Sequence, residues 1–194
     1  GAIVERTDNV TRSATDDISD TVLGVVTDFG WGQNSDRLTA ELQGNLAYYD
    51  YTSDLYDTEV VGSALGRFDI QISPERFAWL FEDTFGQARV DELAPVTADN
   101  RQNVNVFTTG PRFNVRFGSR NSGSLEATYC DTNYAVSAED NNSTAARLSV
   151  GRRVVSRVTL SLNGTVEKID YTDDALFPDY DEEELFIGSE ITGA

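Results

Sequence analysis

The chain has no histidine, one cysteine and 33 carboxylates among 194 residues. Without imidazole there is no Ser–His or Cys–His nucleophile pair, no imidazole general base and no histidine metal site. Cys130 stands outside any CxxC or zinc spacing and reads as a small strand residue that packs as a hydrophobe. Carboxylate chemistry is what remains. The run "DYDEEE", residues 179–184, offers oxygen ligands but lacks the spacing and glycine of a calcium loop. No catalytic constellation, cofactor or metal site is expected, and an enzyme is the least favoured class.

The charges that could do work lie on segments of period two. "RLTAELQGNLAYYDY", residues 37–51, sends Leu38, Ala40, Leu42, Leu46 and Tyr48 one way and Glu41, Gln43 and Asn45 the other. That is a β-strand with one apolar and one polar face. Ten strands follow from such patterns, at 1–6, 20–33, 36–50, 58–72, 76–87, 103–117, 124–132, 145–154, 158–171 and 184–192. No amphipathic helix and no linker interrupts them, so residues 1–194 read as one β-barrel segment. In the sixth strand Pro111 coincides with an apparent change of parity, from Val104 and Val106 to Phe113, Val115 and Phe117. A β-bulge at "TTGPR" would account for both.

Which face is inside follows from the connections. They alternate long and short along the whole chain, so in an up-and-down meander one rim has tight turns and the other extended loops. That asymmetry belongs to outer-membrane barrels. Most of the strands have 9–15 residues, longer than the usual globular strand of about 5–6 and enough for the roughly 9–11 tilted residues that cross a bilayer. The long loops with their flanking acids hold 21 of the 33 carboxylates and 3 of the 15 basic residues, so they carry the full net charge of −18. This balance excludes nucleic acid, whose binders need basic patches, and a peripheral protein held to anionic lipid by a basic face.

Two aromatic levels flank an aliphatic band on the apolar faces. Phe29, Trp31, Phe77, Trp79, Phe113 and Phe117 lie toward the short turns, and Tyr48 and Tyr129 toward the long loops. Such girdles fit a bilayer. The expected fold is therefore all-β, an antiparallel up-and-down transmembrane barrel. Its ten visible strands are expected to form part of a larger barrel, incomplete at both ends, with closure of the ten strands alone as the less favoured alternative. By the same parity the lumen collects Arg37, Glu41, Arg67, Glu82, Arg112, Arg116, Glu126 and Arg153. These charges either form a filter, as side-chain rings do in pores, or pair across strands and keep the interior hydrated. Because Glu82 and Asp83 are adjacent, one of them must oppose the lumen unless a bulge intervenes. The acidic run at 179–184 fits a solvated rim, or one bridged to lipopolysaccharide by divalent ions.

The stretches "TDNVTRSATDDISD", "GRFDIQISPERFAWLFEDTFGQ", "DNRQNVNVFTTGPRF" and "FGSRNSGSLEATYCDTNY" resemble a β-barrel porin family of Gram-negative outer membranes. Relatives in that family accompany exopolysaccharide and exosortase (PEP-CTERM) systems. The resemblance runs over roughly residues 5–190. It implies a barrel in the bacterial outer membrane that transports small solutes or assists polysaccharide export. The implied partners are outer-membrane lipid and lipopolysaccharide, with envelope or surface proteins as further candidates. The alternative is a structural or interaction barrel with acidic surface loops and no open pore; a soluble β-domain ranks below both.

Overall fold

The structure, a computed structural model, describes residues 1–12, 18–53, 55–173 and 175–191. The alternating segments form ten strands: β1 (Ala2–Thr7), β2 (Asp20–Asn34), β3 (Leu38–Tyr51), β4 (Glu59–Ser73), β5 (Phe77–Arg89), β6 (Arg101–Phe117), β7 (Asn121–Tyr134), β8 (Asn141–Val155), β9 (Val158–Tyr171) and β10 (Tyr180–Ile191). They pair antiparallel in chain order in a single sheet, and β1 and β10 are not paired with each other. The up-and-down meander is thus present, as an open sheet. No helix occurs among the described residues. Thr192, expected in the last strand, lies outside the described residues, as do 13–17, Asp54 and Asp174 in the long loops.

Register carries one face across all ten strands. Trp31 pairs with Leu42 and Leu42 with Gly66; farther on, Leu125 pairs with Leu148 and Val150 with Leu162. This face stays open to its surroundings, with Leu42 at 41%, Leu162 at 50% and Trp31 at 51% exposure. The buried apolar side chains are chiefly alanines, Ala40, Ala47, Ala78 and Ala145. Among the described residues the sheet has no dense core, and most of its large apolar side chains share this one exposed face. Aromatic contacts along this face include Phe77 stacked on Phe113, with centroids 4.4 Å apart.

Three strand starts differ from expectation by more than two residues. β7 starts at Asn121, β8 at Asn141 and β10 at Tyr180, each three or four residues earlier than the sequence pattern places them. "NNST" and "YDEE" have turn-like or acidic composition, yet pair in register with Tyr129–Thr132 and Val166–Ile169. Ladder hydrogen bonding to an existing neighbour overrides local propensity here.

The bulge expected at Pro111 is absent. β5 and β6 pair without a shift from Phe77–Phe113 to Arg89–Arg101, and β6 keeps the same offset to β7 on both sides of Gly110 and Pro111. Val104 and Val106 therefore lie on the polar face, and Phe107 on the apolar one. Proline is tolerated because the β6–β7 ladder skips positions 110 and 111. Glycine is needed beside it because a Cβ at position 110 would overlap the Ala127 carbonyl. The register shifts that do occur fall next to short turns, between Gln71 and Ser73 and between Arg153 and Val155.

Gly110→Ala is expected to destabilise the sheet by about 1–3 kcal/mol through overpacking. Gly30→Ala, where a Cβ meets nothing within 4 Å, should be close to neutral. Urea titration of the folded protein in detergent checks both.

Candidate functional site: the polar face

The charges expected in the lumen share one face, and register assembles them into rows. Glu41 sits opposite Arg67, and Arg67 opposite Glu82. Arg112 sits opposite Glu126, and Glu126 opposite Arg147. Acid and base alternate across neighbouring strands, the arrangement that stabilises cross-strand pairs. Two of these contacts close as ion pairs, Arg67–Glu82 at 3.2 Å and Arg147–Glu126 at 3.6 Å.

Arg112 does something further. Its guanidinium reaches over β5 to ion-pair with Asp69 on β4, above Ala78, which is 1% exposed. A small residue at 78 leaves room for that crossing. Arg116 pairs with Glu75 at 3.8 Å, but both side chains are at least 80% exposed. Arg37 and Arg153 stand exposed beside the short turns. Asp69 and Arg147 belong to the same network, and sequence reading missed them. Their signal is register, which single-strand parity cannot supply.

Adjacent Glu82 and Asp83 divide between the two faces without a bulge. Glu82 joins the charged row. Asp83 projects on the apolar side, opposite Gly66 and Phe107, where it accepts a hydrogen bond from Asn105 Nδ2 at 2.7 Å. All eight expected girdle residues, Phe29, Trp31, Tyr48, Phe77, Trp79, Phe113, Phe117 and Tyr129, fall on the apolar face. Trp79 turns its indole N–H to Thr109 Oγ1 at 2.9 Å, which satisfies the polar end of an otherwise apolar ring.

A groove of about 1160 Å³ crosses the polar face near the short turns. Its walls include Arg76, Asn114, Arg116, Ser149, Ser161 and Asn163. Ser149 Oγ donates to Asn163 Oδ1 at 2.7 Å, and Asn163 Nδ2 donates to Ser161 Oγ at 3.0 Å. This surface presents both donors and acceptors. Cys130 lies in the same face between Thr108 and Ser143, with Thr108 Oγ1 3.5 Å from its sulfur. Toward the long loops the face becomes less polar, with Val26, Ala47 and Val61 in one row.

The long-loop rim is held by its own polar locks. Asp20 is buried and accepts from Ser53 Oγ at 2.7 Å, Ser53 N–H at 3.1 Å and Thr52 Oγ1 at 3.1 Å. Burial would raise its carboxyl, but hydrogen bonds from Ser53, Thr21 and Thr52 outweigh that and hold it below the ordinary value. Asn100 Nδ2 ties the β5–β6 loop through the carbonyls of Asp91 at 2.9 Å and Pro95 at 2.8 Å. Arg101 ion-pairs with Glu59, which also accepts from Tyr51 Oη at 2.5 Å. The acidic run at 179–184 does not converge. It enters β10, where Asp181 and Glu183 face one way and Glu182 and Glu184 the other. Among the described residues no group of three or more carboxylates or thiols is placed to hold a metal.

No family model, curated protein or solved structure matches the chain.

A double-mutant cycle on Arg112→Gln and Asp69→Asn is expected to give a coupling of about 1–2 kcal/mol, since both groups are more than half buried and hydrogen-bonded. The exposed pair Arg116 and Glu75 should show no measurable coupling. Unfolding titrations of the four single and two double variants decide it.

Proposed function

We propose that the chain forms the wall of an outer-membrane β-barrel whose polar face lines a path for small solutes. The sorting of the two faces carries this reading. On β9 the apolar positions run Val158, Leu160, Leu162, Gly164 and Val166 before Lys168; on β7 they run Gly123, Leu125, Ala127 and Tyr129 before Asp131. A band of that height, open to its surroundings and bordered by aromatics, suits lipid. Polar residues and paired charges occupy the other face, which suits water. Lipid tolerates no open backbone edge, so in the membrane the outer edges of β1 and β10 pair with each other or with further strands. Lipid and lipopolysaccharide are the surroundings on this reading.

A barrel without an open pore, serving structure or interaction, is the second reading. The ion pairs that span the polar face and the hydrogen-bonded rim favour it, because both would fill or cap a narrow barrel.

Two experiments test these readings. Leu42→Lys and Leu160→Lys are expected to oppose membrane assembly by about 2–4 kcal/mol, while Gln43→Lys and Ser161→Lys leave it intact; flotation with lipid vesicles is the readout. Equal tolerance at all four positions would overturn the orientation. In a planar bilayer the protein should give steady conductance, and a folded barrel without conductance selects the second reading.

A further inference from the structure

The four short connections share a feature that face assignment alone passes over. Each ends on an arginine immediately before the next strand: Arg37 before Leu38, Arg76 before Phe77, Arg120 before Asn121 and Arg157 before Val158. The first three positions are equivalent in space. The carbonyls of Arg37, Arg76 and Arg120 accept from the N–H groups of Gln71, Asn114 and Arg153, each at 2.8 Å and each on the strand beyond the hairpin. Strand parity then puts all four turn arginines in phase with the polar face, two residues from Thr39, Ala78, Ser122 and Thr159. All four are exposed.

Successive short turns lie two strands apart, about 9–10 Å. Guanidinium groups from neighbouring turns can therefore converge on one multivalent ligand. Arg116 and Arg153, also exposed and on the polar face, add to the arc. Against these six cations stand Asp36, Glu75 and Glu190. Of the six, Arg76 and Arg116 line the groove together with Glu75 and Glu190, and the others continue along the same short-turn rim.

Three physical points identify the ligand. Fourteen of the 15 basic residues are arginine, and the one lysine, Lys168, lies toward the opposite rim. Arginine binds planar carboxylates and phosphates through paired N–H donors. Polar-face parity sets the arc on the same side of the sheet as the groove, not on the apolar face that would meet lipid headgroups. The acidic rim lies roughly 40 Å away along a strand of 14 residues, and screening over about 10 Å at 0.1 M salt separates the two fields.

We propose that this arc of turn arginines captures small multivalent oxyanions, carboxylates or phosphates, at the short-turn rim of the polar face. The proposal rests on the polar face being a solute path, but capture itself needs no open pore.

The test is titration calorimetry of the folded chain in neutral detergent at low salt, with citrate and pyrophosphate as probes. Replacing Arg37, Arg76, Arg120 and Arg157 together by glutamine is expected to weaken binding about tenfold or more, and each single replacement about two- to threefold. Arg89→Gln, on the opposite rim, should change nothing. Stronger binding of pyrophosphate identifies phosphate-bearing solutes, and stronger binding of citrate identifies polycarboxylates. Absence of binding by the unmodified chain overturns the proposal, as does full binding by the fourfold variant or an equal loss in Arg89→Gln. So does capture of an octa-aspartate peptide when neither small anion binds, which would mark a protein-docking rim. If the fourfold variant does not fold, the single variants decide. Conductance without anion binding removes this proposal and leaves the channel standing; anion binding without conductance does the reverse.

Discussion

Continuous backbone pairing between neighbouring strands is the constraint from which the rest of the structure follows. Side chains alternate with a period of two, so a single-residue slip in any ladder would turn every later residue to the wrong face. The chain holds its phase through nine pairings. That continuity collects most of the leucines and aromatic rings on one face and the Arg67–Glu82, Arg112–Asp69 and Arg147–Glu126 pairs on the other. Where pairing is interrupted in mid-sheet, at Gly110 and Pro111, the offset survives. Where it shifts, next to the turns at Gln71–Ser73 and Arg153–Val155, little strand remains to be inverted.

The charged rows show how weak interactions gain value from this frame. An exposed pair such as Arg116–Glu75 contributes little, because water screens it and two mobile side chains must be ordered. Arg112 differs because the backbone already fixes its neighbours. Glu126 lies opposite on β7, Ala78 leaves space on β5, and Asp69 waits on β4. Pairing across two strands ties three of them together on one face. Paired charges of this kind also reduce the cost of holding carboxylates beside valines and alanines.

Much of this was legible in the sequence, and the misses have physical causes. All ten strands and the apolar face of "RLTAELQGNLAYYDY" follow from alternation alone. The ends of β8 and β10 did not, because Asn141–Thr144 and Tyr180–Glu183 have poor strand propensity and are recruited by a partner already in place. Pro111 suggested a bulge because proline usually marks one, and the vacancy in the β6–β7 ladder that accommodates it lies outside local sequence. Asp69 and Arg147 needed register between strands. The turn arginines were visible as letters, but the equivalence of Arg37, Arg76 and Arg120 depends on hydrogen bonds to the strand beyond each of their hairpins.

Pairing confined to chain neighbours has a consequence for how such a sheet can change in length. Removing or duplicating one strand reverses the direction of every strand after it and exchanges the two rims for the rest of the chain. Removing or duplicating a hairpin, two strands with their turn, preserves both faces and both rims. The natural unit of variation is therefore the hairpin, and each added unit of this pattern would bring one more arginine to the short-turn edge. Cation count at that edge would grow in step with the width of the sheet.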